Sequence, residues 1–155
     1  MDFRIVALPA APFAPLFGLP EAELAARGVR RVVADRQPGF PCRVSLQDAV
    51  PGEALLLLNY EHLPTPGPYR ASHAIYVREY ASKSVPAINE VPAVLATRLL
   101  SVRAFDAAGM MVEAEVCAGA EVAALVRGYL DDARVALVHL HNARPGCYAA
   151  QAVRA

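Results

Sequence analysis

The strand-like runs of this chain follow one another too closely for most of them to be joined by helical crossovers. Two parallel neighbours need a dozen or more residues between them, usually a helix. Here "CRVSL" (42–46), "ALLLLNY" (54–60) and "SHAIYVREY" (72–80) are separated only by "DAVPGE" and "EHLPTPGPYR", which are turn and loop chemistry. "RLLSVRAFDAAGMMVEAEVC" (98–117) reads as one β-hairpin, two strand-like runs flanking a short loop that ends in Gly109. With "FRIVAL" (3–8), "VRRVVAD" (29–35), "RVALVHLH" (134–141) and "CYAAQAV" (147–153), the pattern predicts a largely antiparallel sheet of about eight strands.

Two main helices interrupt it. "PEAELAARG" (20–28) has Pro20 at a first-turn position, Glu21 and Glu23 early, and Gly28 as a stop. "AEVAALVRGYLDD" (120–132) places Val122, Leu125, Val126 and Tyr129 on one face at helical spacing. One helical turn is expected near Ala93. More strands than helices, with strand runs grouped together, means an α+β fold. Nothing divides the chain, so residues 1–155 are read as a single domain.

Composition narrows the partners. Formal net charge is zero, so no overall field draws the chain to nucleic acid or an acidic membrane. No basic stripe with interleaved aromatics is present, and no apolar run reaches the length of a membrane span. Cys42, Cys117 and Cys147 are odd in number and widely spaced, which indicates neither a disulfide framework nor a cysteine-type zinc site. The opening "MDFRIVALPAAPF" has prolines where a signal peptide needs an unbroken apolar stretch, so the expectation is a cytoplasmic, reduced protein. Of the basic residues only Lys83 is lysine; this arginine, alanine and proline usage suggests a GC-rich bacterial genome.

The segments "FRIVALPAAPFAPLF", "GFPCRVSLQDAVPGE", "LLLLNYEH", "PYRASHAIYVRE", "LLSVRAFDAAGMMVEAEV" and "HNARPGCYA" together cover most of the chain. On these the chain resembles the bacterial domain-of-unknown-function family numbered 1203. The resemblance implies a small bacterial single-domain protein and carries over no activity and no catalytic residues.

All four histidines fall at strand ends or in the loops beside them: His62 in "NYEH", His73 in "YRASHA", and His139 and His141 in "HLH". Loops at the ends of a rigid sheet are where sites tend to be built. If those ends gather, a polar cluster forms from His62, His73, His141, Tyr60, Tyr148, Arg70 and Cys147. In "NYEH", alternation puts Tyr60 and His62 on one face and Asn59 and Glu61 on the other. His139 and His141, two apart on a strand, would share a face about 7 Å apart and grip one metal ion, with His62, His73 or Glu61 as third ligand. The competing reading is a satisfied core histidine beside a turn histidine.

Cys147, six residues from His141, would form a Cys–His nucleophile pair or be a small buried packing residue. Arg70, Arg144 and Arg43 offer planar forks for a carboxylate or phosphate, and Asn142 lies in the same "HLHNARPGCY" segment. The expected function is therefore a domain that binds a small anionic ligand, as an enzyme or not. His62, His73, His141 and Cys147 are its candidate catalytic groups; Tyr60, Arg70, Asn142, Arg144 and Tyr148 are its candidate ligand-binding groups. Three alternatives stand beside it. One is a protein-interaction module using Phe13, Leu16 and Phe17 of the proline-rich segment, which otherwise cover the chain's own sheet. Another is a metal-dependent enzyme. The last is a nucleotide-handling transferase, by analogy with the split antiparallel sheets of ADP-ribosyltransferases. Cofactor and oligomeric state are left open by the sequence.

Overall fold

Eight strands and three short helices make up the computed structural model, which describes residues 1–155. The strands divide into two antiparallel sheets. The larger has the order β1 (Phe3–Val6), β8 (Tyr148–Arg154), β7 (Leu137–Asn142), β5 (Leu99–Phe105) and β6 (Met111–Ala118). The smaller consists of β2 (Arg30–Val33), β3 (Ala54–Leu63) and β4 (Ala71–Arg78). The helices are α1 (Glu21–Ala26), α2 (Ala93–Ala96) and α3 (Val122–Asp131), none long and apolar enough to cross a membrane. This is the α+β architecture that the run spacing predicts, with its strands shared between two sheets.

Period-two alternation assigns the faces of the larger sheet. Leu100, Val102 and Ala104 of β5, Val138 and Leu140 of β7, and Ala150 and Ala152 of β8 form one apolar face. Against it α3 buries Val122, Val126 and Leu130, with Leu125 and Tyr129 partly covered. Each such aliphatic side chain contributes about 1.5–3 kcal/mol of transfer free energy. The expected helix face is therefore present, turned slightly towards Leu130.

Gly119 shows how tightly this layer is closed. Its N–H donates to Arg98 O at 2.7 Å, and a Cβ built there would stand 2.7 Å from the carbonyl carbon of Ala96. That neighbour is backbone and cannot swing aside. Gly119→Ala is expected to cost about 3 kcal/mol, at the upper end of overpacking, read as a lowered denaturant midpoint with unchanged slope.

The opposite face of the larger sheet carries Ser101, Arg103, His139, His141, Tyr148 and Gln151. The small sheet covers part of it. Leu56 and Leu58 of β3, with Ile75 and Val77 of β4, pack against Tyr148 together with Leu8, Phe13 and Leu24. Phe13 is buried, and Leu16 and Phe17 pack on the same cluster, so the proline-rich segment covers its own chain. Arg31 fixes this cover: it donates to both Glu79 oxygens, to Glu21 and to Leu19 O.

One expected strand is absent. Residues 42–46 fold back on themselves, with Leu46 N–H donating to Cys42 O, Cys42 N–H donating to Gln47 O, and Leu46 at a positive φ. Only isolated bridges, Pro41 to Asp48 and Cys42 to Tyr76, remain of the strand. Arg43 is the physical reason: its buried guanidinium donates to Tyr148 O, Pro41 O and Cys147 Sγ, which pulls the segment across the sheets instead of along one.

Candidate metal centre

Alternation on β3 continues the face of Leu56 and Leu58 into Tyr60 and His62, and the register sets Tyr60 opposite His73 on β4. The apolar interface between the sheets thus gives way at one end to polar rings. These meet His139, His141 and Tyr148 of the larger sheet. The His62 ring centroid lies 5.0 Å from that of His73, 4.9 Å from His141, 5.3 Å from His139 and 5.2 Å from Tyr148. Four histidines from three separate stretches therefore converge.

Within this cluster His62, His73 and His141 each offer a ring nitrogen, and the three atoms lie within 4.8 Å of one another. Hydrogen bonds fix which nitrogens are available. His141 Nδ1 is 2.9 Å from Gly146 O; a carbonyl only accepts, so Nδ1 carries the proton. His141 Nε2 is left with its lone pair, buried and without a partner. His62 Nε2 lies 2.9 Å from His73 Nδ1, and His62 Nδ1 lies 3.3 Å from His139 Nδ1. Gln151 stands opposite His139 in the β7–β8 register. His139 thus stands behind the His62 ring and orients it through the Nδ1–Nδ1 contact, as outer-shell partners orient metal-binding imidazoles.

No carboxylate faces the cluster, and burial disfavours charge on every ring. Desolvation, with repulsion from His139, His73 and Arg103, lowers His62 from 6.5 to about 3. Desolvation lowers His141 to about 3, offset in part by its bond to Gly146 O, and lowers His139 to about 4, offset in part by the neighbouring Gln151 side chain. His73, partly exposed, is lowered for the same first cause. Tyr148 is pushed well above the ordinary phenol range by burial. The imidazoles are neutral at pH 7, the form that coordinates metals.

The structure sorts the sequence candidates. His62, His73, His141 and Tyr148 are together, and Tyr60 adjoins them through Tyr148 at 6.3 Å between centroids. Of the "HLH" pair only His141 is among the converging three; His139 stands behind His62. Arg70 and Glu61 lie outside the cluster, paired with each other at 3.0 Å on the exposed side of β3, because alternation turns Glu61 away from His62. Cys147 does not pair with a histidine; its Sγ accepts from Arg43 at 3.0 Å and from Asn142 Nδ2 at 3.5 Å. Cys147, Asn142 and Arg144 line a separate cleft.

Arg103 was missed by the sequence reading. It faces the cluster because β5 sets Ser101 opposite His141 and Arg103 opposite His139. The signal was present in "SVR", where polar residues alternate with valine, but only the β5–β7 register gives it meaning. Its Nε donates to Ser101 Oγ, and no carboxylate pairs with it. Phe105, its neighbour on the same face, packs edge-on to His139 and to Tyr69.

No curated protein and no solved structure matches the chain. Residues 39–154 match the model of the family described as "Protein of unknown function (DUF1203)", and the chain belongs to that family.

Proposed function

We propose that His62, His73 and His141 hold one divalent transition-metal ion, in a domain whose ligand is a small anion. The observation that carries this reading is the approach of three imidazole nitrogens within 4.8 Å, one of them the buried, unpartnered His141 Nε2. Three nitrogens bound to one ion at 2.0–2.1 Å stand about 3.3 Å apart in tetrahedral geometry. His62 Nε2 and His73 Nδ1, now 2.9 Å apart, need only separate by about 0.4 Å to reach it. Coordination would place the His62 proton on Nδ1, where His139 Nδ1 accepts it.

Three neutral imidazoles with no thiolate leave a fourth position for water or substrate, the arrangement of catalytic rather than closed structural zinc sites. An ion there would polarise a bound carbonyl or phosphoryl oxygen, or lower the pKa of a bound water. Arg103 favours the anionic half of the reading, since its guanidinium borders the cluster and has no carboxylate of its own.

Titration of metal-stripped protein with Zn²⁺ or Co²⁺, followed by elemental analysis of the desalted product, tests this. The expected stoichiometry is one ion per chain. His73 is the partly exposed ligand, so His73→Gln keeps the fold. It should weaken binding at least about 100-fold, since even outer-shell partners are worth 10–100-fold. Metal at trace level only, or equal affinity in His73→Gln, overturns the proposal.

A further inference from the structure

Beside the β7–β8 turn, and lined by none of the histidines, lies a cleft of about 710 Å³, within the size range of small-molecule sites. Four guanidinium groups line it, those of Arg36, Arg43, Arg98 and Arg144, and no carboxylate does. Two of the charges are answered from outside the lining: Arg98 donates to both oxygens of Asp48 at 2.6 and 3.0 Å, and Arg36 pairs with Asp35 at 3.2 Å. The other two are not. Arg144 is exposed at the rim, and neither it nor Arg43 forms a salt bridge.

Arg43 is the informative one. It is 2% exposed, and its bonds go to two carbonyls and a thiol, none of them an anion partner of the carboxylate kind. A buried charge without a counter-charge is costly, and burial depresses its protonation. Three of its five N–H groups are used, which leaves two for a ligand. Beside it Asn142, 7% exposed, leaves Oδ1 without a partner. Tyr76 and Leu99 supply apolar wall.

We infer that this cleft binds a small organic dianion, a phosphate monoester or a dicarboxylate, between Arg43 at its base and Arg144 at its rim. The site is distinct from the histidine cluster and stands without the metal reading. Two guanidinium charges lacking a carboxylate call for two negative charges, and the planar fork matches both chemistries. The cleft carries its own reporter, because Cys147 lines it while Cys117 sits on the edge strand β6.

The test uses metal-free full-length protein at matched ionic strength, so that coordination at the histidines plays no part. Phenyl phosphate and succinate are titrated calorimetrically, with benzyl alcohol as the neutral control. At least one dianion should bind with Kd at or below about 1 mM, benzyl alcohol should not, and Arg144→Glu should weaken binding at least about tenfold. Arg144 is exposed, so its variant keeps the fold; Arg43 is left intact because its bonds hold the 42–46 segment. Bound dianion should also slow iodoacetamide alkylation of Cys147 relative to Cys117, read by peptide mass spectrometry. Affinity weaker than about 10 mM for both dianions, or affinity unchanged by Arg144→Glu, overturns the inference. Preference for phenyl phosphate identifies the monoester; preference for succinate identifies the dicarboxylate.

Discussion

Acidification from pH 7 to about pH 4 is expected to unfold the metal-free protein, with most of the loss falling above the range in which carboxylates titrate. His62 and His141 are held near 3 and His139 near 4 in the folded state, against 6.5 when exposed. The unfolded chain therefore binds protons first. Stability is complete above pH 6.5 and is lost as pH falls towards the folded-state values. One such group contributes a slope of about 1.4 kcal/mol per pH unit, so three contribute about 4 kcal/mol per unit at the steepest. A domain with about 5–15 kcal/mol in hand is exhausted within a few units. Glu79, whose ionised form Arg31 stabilises, adds its own loss only below about 4.5. Urea midpoints measured every half unit should fall from pH 6.5 downwards. In His139→Leu the slope should drop by about a third, one proton of three. A flat profile down to pH 4.5 would mean that these imidazoles are not buried neutral.

The second large effect has the opposite sign. On the proposed reading, Zn²⁺ would bind the assembled cluster and not the dispersed histidines of the unfolded chain. At a free concentration 100-fold above Kd it should add about 2.7 kcal/mol, which raises the melting temperature by about 5–10 °C in a domain of this size. His73→Gln should melt near the wild type without metal and show no rise with it. His139→Leu should keep a rise, displaced to about tenfold higher zinc, because His139 orients the His62 ring without binding the ion. Scanning fluorimetry over a zinc series separates the three. An equal rise in all of them would place the ion elsewhere.

What could be read before folding was local. Alternation identified the strands, and it also assigned Tyr60 and His62 to one face and Glu61 to the other, which is the arrangement observed. The grouping of histidines at strand ends correctly pointed to one region. Register and strand order were not legible, and those decide the chemistry. The "HLH" spacing suggested a two-pronged ligand, yet the approach of His141 to His62 and His73 depends on β3 and β4 lying over β7, which no spacing within β7 encodes. Arg103 was invisible for the same reason: a basic residue in a hairpin becomes part of a centre only when β5 sets it opposite His139. The strand expected over 42–46 is absent because the pattern of "CRVSL" does not show where the Arg43 guanidinium goes. Here its bonds to Pro41 O, Tyr148 O and Cys147 Sγ outweigh strand pairing and bury it.

The zinc K-edge X-ray absorption spectrum of the loaded protein is the most direct test of the histidine centre. It should show three imidazole nitrogens at about 2.0–2.1 Å and one further light atom, with the imidazole scattering reduced in His73→Gln. A sulfur neighbour at about 2.3 Å, or a shell of oxygen alone, would contradict ligation by His62, His73 and His141.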